Sequence, residues 1–269
     1  MKLVELHRKF FLIKVFTYPF RLLNIILNIF IEVLERKRRI ISKSDSNYFG
    51  DNFATRNHVE FFNDQNFVQI YNDAYTDLPK TIKEVKQMDI IWRAHICTWA
   101  IKYIEANKIR GDFIELGTWF GLLAKVICEY NKIDSMDRVF HLFDNWGGDK
   151  SFKHKNYKYN FDIYEIVKKR FKEYKNVKLH RGILPDILFK KNAQINQISF
   201  LIIDLNTAKP EYDSLLVLYD KISSGGIIFF DDYGNIGCEE LRDKINLFFK
   251  GKKEKLLHFP SGNSIVIKS

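Results

Sequence analysis

Beyond Gly111 the chain alternates short apolar runs with amphipathic segments, and that alternation leaves few folds open to it. The runs "DFIELG" (112–117), "VFHLFD" (139–144), "VKLHRG" (177–182), "ISFLIID" (198–204) and "IIFFDD" (227–232) read as strands. Between them, "FGLLAKVICEY" (120–130), "FDIYEIVKKRFKEY" (161–174), "EYDSLLVLYDKI" (211–222) and "EELRDKINLFF" (239–249) read as helices. In the second of these, Ile163, Ile166, Val167 and Phe171 share one face. "KLLHFP" (255–260) and "SIVIKS" (264–269), joined by "SGN", read as a closing hairpin. Strands separated by helices imply right-handed crossovers and a doubly wound α/β sheet. Ligands of such sheets bind beyond the carboxyl ends of the strands, near the point where strand order reverses.

The strand ends are acidic. A Gly225-Gly226 turn leads into Ile227–Phe230, and that apolar run stops on two adjacent carboxylates, Asp231 and Asp232. Charge beside a core is costly unless it is paired, so the pair calls for partners from elsewhere in the chain. The first strand ends in "ELGTWFG", with Glu115 followed by Gly117 and Gly121. Glycine there lets the turn into the helix pass close to a ligand. The spacing is not G-x-G-x-x-G, so an NAD fingerprint is not supported. Asp144 closes the second strand, where a carboxylate suits a ribose diol.

Five blocks carry a family likeness: "GDFIELGTWFG", "FHLFDNWGG", "HRGILPDIL", "FLIIDLN…PE" and "GGIIFFDDYG". In that order they resemble a class I S-adenosylmethionine-dependent methyltransferase of the macrocin O-methyltransferase type, which modifies sugars and depends on a metal. The likeness spans roughly residues 60–269, with "WRAHICTWA" upstream and "FPSGNSIVIK" at the end. It implies a Rossmann-like seven-stranded sheet of order 3-2-1-4-5-7-6, strand seven antiparallel, and methyl transfer to a hydroxyl oxygen. Glu115, Gly117, Gly121, Asp144 and Gly182 are then the expected S-adenosyl-L-methionine contacts. In that order strands four and five are neighbours, about 4.8 Å apart, so Asp204, Asp231 and Asp232 crowd one end of the sheet. Three hard oxygen ligands suit Mg²⁺, with Asp204 the expected base for a hydroxyl acceptor. Asn206 stands where the family places a second acid.

Plainer roles compete for the same residues. Strand-end aspartates also cap helices or bind turn amides, a reading that suits Asp232 before Tyr233-Gly234. His95 reads as a packed residue, and His180 as a residue that could equally face solvent. Packing is the default for Trp119 and Trp146, beside the expected cofactor cleft.

Upstream, "VEFFNDQNFVQIYNDAY" and "DIIWRAHICTWAIKYIEAN" read as helices, the latter with Trp92, Ile96, Trp99 and Tyr103 at helical spacing. Residues 1–41 form a basic arm, 42–110 a linker (42–58) followed by helices, and 111–269 the methyltransferase domain. Nine Lys or Arg against three acids in residues 1–40 give +6 of the chain's +10. The arm's Leu22, Ile25, Ile26, Ile29 and Val33 recur at helical spacing before "ERKRR", a pattern suited to an anionic membrane surface or to a second subunit. Charges interrupt it too often for a spanning helix, and no small-residue cleavage site marks it as a secretory signal. With three scattered cysteines, a cytoplasmic setting is expected, peripheral on the membrane if the arm binds there.

Two other function classes compete with this one. The basic excess lies in an apolar arm and no N/D-P-P-Y/F motif occurs, so nucleic acid is not the expected partner. A non-catalytic, membrane-tethered binding protein on the same fold would have no need for acids at four strand ends. A sugar or glycan acceptor, with specificity set by a lid at "WGGDKSFKHKNYKYNFD" (146–162), and a homo-oligomer complete the expectations.

Overall fold

The computed structural model describes residues 26, 46–51, 53–79, 89–147 and 162–269. The arm, apart from Ile26, and most of the expected lid thus lie outside the described residues. Within the stretch read as a linker, Tyr48–Gly50 and Phe53–Thr55 form a small two-stranded sheet. All that follows concerns the larger of two compact units, Gly50–Phe53 with Val59–Ser269.

The strands of the large sheet are Asp112–Leu116 (β1), Phe140–Asp144 (β2), Val177–Arg181 (β3), Ile198–Ile203 (β4), Ile222–Phe230 (β5), Leu257–His258 (β6) and Ser264–Ile267 (β7). Their spatial order is β3-β2-β1-β4-β5-β7-β6. The first five are parallel, and β7 runs antiparallel to both β5 and β6. The expected topology is therefore the one observed. Its helices are Gln65–Thr76 (α1), Ile91–Ala106 (α2), Leu122–Tyr130 (α3), Ile163–Phe171 (α4), Ala208–Leu218 (α5) and Glu239–Phe249 (α6).

Helices cover both faces of the central strands, which accounts for their near-continuous apolar sequence. Ile114, Leu116, Leu201, Ile203, Ile228 and Phe230 join Leu215, Leu218, Leu241, Ile245 and Phe249 of α5 and α6 in one core. Alternate residues serve the opposite face, where Phe113 meets the rings of Phe140 and Phe200 at 6.1 and 6.2 Å.

One local expectation differs from the structure. Gly225-Gly226 is not a turn before a strand, because β5 already begins at Ile222 and passes through the pair with a register shift against β4. Gly225 takes φ +80 there, which a side chain would resist. The helix expected from Trp92, Ile96, Trp99 and Tyr103 is observed as α2, with Ile96 buried, Trp99 45% exposed, and Ala94, Cys97, Ile101 and Ile104 fully buried. That buried face, of mixed small and branched residues, packs on β4 and β5.

Candidate functional site

Backbone hydrogen bonds carry the strand register past the last paired residues and so bring the acids together. The Asp204 amide donates to the Leu116 carbonyl (2.8 Å), and the Asp231 amide to the Ile203 carbonyl (3.0 Å). On the other side Gly117 N–H donates to Phe143 O (2.8 Å), and Gly182 N–H to Asp144 O (3.0 Å). The ends of β1, β2, β4 and β5 thus form one acidic rim, which includes the point where strand order reverses, between β1 and β4.

At the β4–β5 end, Asp204, Asp231 and Asp232 each offer an oxygen within 4.8 Å of the others. Burial, followed by the charges of Asp231 and Asp232, raises the Asp204 pKa well above the usual carboxylate range. Burial likewise pushes Asp231 up to about 7, against the pull of Arg93. Asp232 is also raised, chiefly by burial. Its Oδ1 accepts from Asn235 Nδ2 (2.6 Å), while its buried Oδ2 has no hydrogen-bond partner. Three hard oxygens at this spacing, one of them buried and unpartnered, fit a small divalent cation. Asn206, at φ +54, donates to Asp204 Oδ1 (3.0 Å) and so lies at the cluster as an amide.

Four residues outside the predicted set complete this corner. Arg93 of α2 donates through Nη1 to Asp231 Oδ2. Its Nε and Nη2 hold Asp51 at 2.6 to 2.9 Å. Asn263, in the turn before β7, donates to Asp231 O (2.6 Å) and Oδ1 (3.1 Å), and its own Oδ1 accepts from Ser261 (2.8 Å). Buried Glu211 accepts the Leu205 amide (3.0 Å), and desolvation lifts its pKa to about 8. Arg93 and Asn263 lie within "WRAHICTWA" and "SGN", but nothing local ties either to an aspartate far along the chain. Asp51 sits in the stretch read as linker.

At the β1–β2 end, Asp144 Oδ2 accepts the Trp119 amide and Oδ1 the Trp146 amide, both at 2.7 Å. Burial still raises its pKa. With the Asn145 amide also directed at this carboxylate, a lone pair remains for a ligand hydroxyl. Trp146 is buried and its indole N–H donates to Trp119 O (2.8 Å), so the two tryptophans brace the loops around Asp144. Glu115 is 3% exposed, its Oε2 has no partner, and desolvation pushes its pKa up to about 8.

The three predicted glycines all have protein neighbours that explain them. A Cβ on Gly117 would lie 1.7 Å from Asp204 O, one on Gly121 2.6 Å from the Phe171 ring, and one on Gly182 2.7 Å from Ile187. Gly117 therefore lets β1 and β4 converge, whatever else it approaches. His180 is not solvent-facing: it is 4% exposed, stacks on Phe143 with centroids 4.4 Å apart, and lies 2.9 Å from His141 Nδ1. His95 packs against Phe61, 4.8 Å between centroids, and burial lowers its pKa.

The family model described as Macrocin-O-methyltransferase (TylF) matches residues 86–253. The solved O-methyltransferase NovP is similar with a TM-score of 0.55 and 22% identity, over 66% of this chain and 80% of its own. The SAH-bound Podospora anserina methyltransferase PaMTH1 gives 0.53 and 15%, over 76% and 88%. At these identities the structural likeness establishes the fold. No curated protein matches the chain.

Proposed function

Because this chain belongs to the macrocin O-methyltransferase family, and is thereby an S-adenosylmethionine-dependent O-methyltransferase, we propose that it methylates a sugar or glycan hydroxyl at the Asp204–Asp231–Asp232 cluster. The observation that carries this reading is the convergence of those three carboxylates beside the reversal of strand order.

In this reading Asp144 takes the ribose hydroxyls of the cofactor, and Glu115 and the Gly117 and Gly121 backbone line the same end of the cleft. The cofactor, when bound, supplies an electrophilic methyl group on a sulfonium. Asp204, Asp231 and Asp232 would hold a divalent ion, which supplies positive charge to stabilise a deprotonated hydroxyl. Asp204 takes the hydroxyl proton, its carboxylate kept ionised by the charge of the ion that the three aspartates would hold. Held by Asp144 at the β1–β2 end, the cofactor would supply its methyl group to the acceptor oxygen and leave as the thioether. Glu211 and Asn206 hold the loop that presents Asp204. Alignment of oxygen and methyl is the protein's largest contribution.

Residues 1–41 are proposed to hold the enzyme on an anionic cytoplasmic leaflet, with 111–269 as the catalytic domain. Calorimetric binding of S-adenosylmethionine, then methyl transfer to free and nucleotide-linked sugars and to RNA, with and without EDTA, tests the reading. Transfer to a sugar that falls on chelation is expected. Transfer to RNA alone, or binding without transfer to any acceptor, would overturn it.

A further inference from the structure

Asp231 is the most heavily engaged member of the cluster. Its Oδ2 accepts from Arg93 Nη1 and its Oδ1 from Asn263 Nδ2. Asp232 Oδ2, by contrast, is buried and free of partners. Arg93 is itself gripped: Asp51 binds Nε and Nη2 as a fork, and the Asp51 side chain is 2% exposed. Asp51 adopts φ +47, an uncommon backbone setting for a residue with a side chain. Arginine carries its charge at any ordinary pH, so this pairing is with a permanent cation. Among the described residues, Arg93 is the cation that pairs with these acids.

We propose that Arg93 is a resident counter-cation of the acid cluster that competes with a divalent ion for Asp231, and that Asp51 sets the strength of this competition by anchoring Arg93. The proposal rests on the reading of Asp204, Asp231 and Asp232 as an ion site. An ion at the cluster meets a guanidinium already seated on one of its ligands, and like charges at such range oppose one another. Asp51 limits that opposition by drawing the guanidinium toward itself. Arg93 is thus a positioning residue, and Asp51 acts through it.

Mn²⁺ titrated into the full-length protein, with free ion read by electron paramagnetic resonance, tests this. Arg93→Gln should bind Mn²⁺ at least tenfold more tightly than the parent, and Asp51→Asn more weakly. The double variant should match Arg93→Gln within about threefold, since Asp51 has nothing to act through once Arg93 is gone. A mere sum of charges would instead weaken the double variant by the full Asp51→Asn factor, and that result would overturn the proposal. Arg93→Met, which keeps the packed stem, and cofactor binding by each variant guard against misfolding. If the parent binds Mn²⁺ and both Arg93 variants bind it equally or less well, the competition is refuted while the ion site stands. A parent that binds no Mn²⁺ beside an Arg93 variant that does supports the competition; no binding by any form overturns both readings.

Discussion

Gly117 illustrates how a single residue can be required for a reason that its own neighbourhood in sequence does not state. The E-x-G pattern pointed to a ligand, yet the nearest atom to a built Cβ is the Asp204 carbonyl at 1.7 Å. Gly117→Val should therefore cost more than about 3 kcal/mol of stability through overpacking, measured by denaturant unfolding; a variant of parental stability with weakened cofactor binding would return the residue to a purely ligand-facing role. Asp144→Ala is the cleaner cofactor probe. It should weaken S-adenosylmethionine binding, and calorimetry showing parental affinity would misplace the ribose site. The strand-end acids were legible because each abuts an apolar run. Arg93 was not, since its link to Asp231 spans 138 residues and depends on how α2 lies over β5. Asn263 and Asp51 were hidden for the same reason.

At the scale of elements, the strands were read well because burial on both faces writes itself as unbroken apolar sequence. The face assigned to α4 is likewise the buried one, through Ile163, Val167 and Phe171. On α2 both the Trp92-Ile96-Trp99-Tyr103 set and the Ala94-Cys97-Ile101-Ile104 set have helical spacing, so spacing alone does not say which of them meets the sheet. The pair β2–β3 adds a property no pattern announced: His180 buried against His141 and Phe143. Burial pulls the His180 pKa from 6.5 down to about 4, so the folded state resists protonation that the unfolded chain accepts. Its contribution to stability is full above pH 6.5 and is lost as pH falls through about 4. Glu115 and Glu211, with raised pKa values, act in the opposite sense. A His180→Gln variant should therefore lose less stability than the parent between pH 6.5 and 4, by denaturant midpoint. An unchanged pH slope would show that His180 charges freely in the fold.

For the whole molecule, the topology places all four acidic strand ends on one rim, and that rim is where family membership and local chemistry meet. No helix among the described residues is long and apolar enough to cross a membrane. The +6 of residues 1–40 is proposed to act at a membrane surface, where each Lys or Arg near anionic headgroups is worth about 1 kcal/mol. A chain starting at Ser42 should stay folded and bind cofactor but cease to co-sediment with anionic vesicles at low salt. Failure of the full-length chain to co-sediment would favour an arm that packs on a second subunit. The central claim is that Asp204 serves as base within an ion-binding cluster, and the most direct measurement is methyl transfer by Asp204→Asn beside the parent, each with and without excess EDTA. The account predicts near-parental cofactor affinity with a rate loss of about 10²–10⁴, and a parent slowed by the chelator. Full activity of Asp204→Asn in excess EDTA would contradict it.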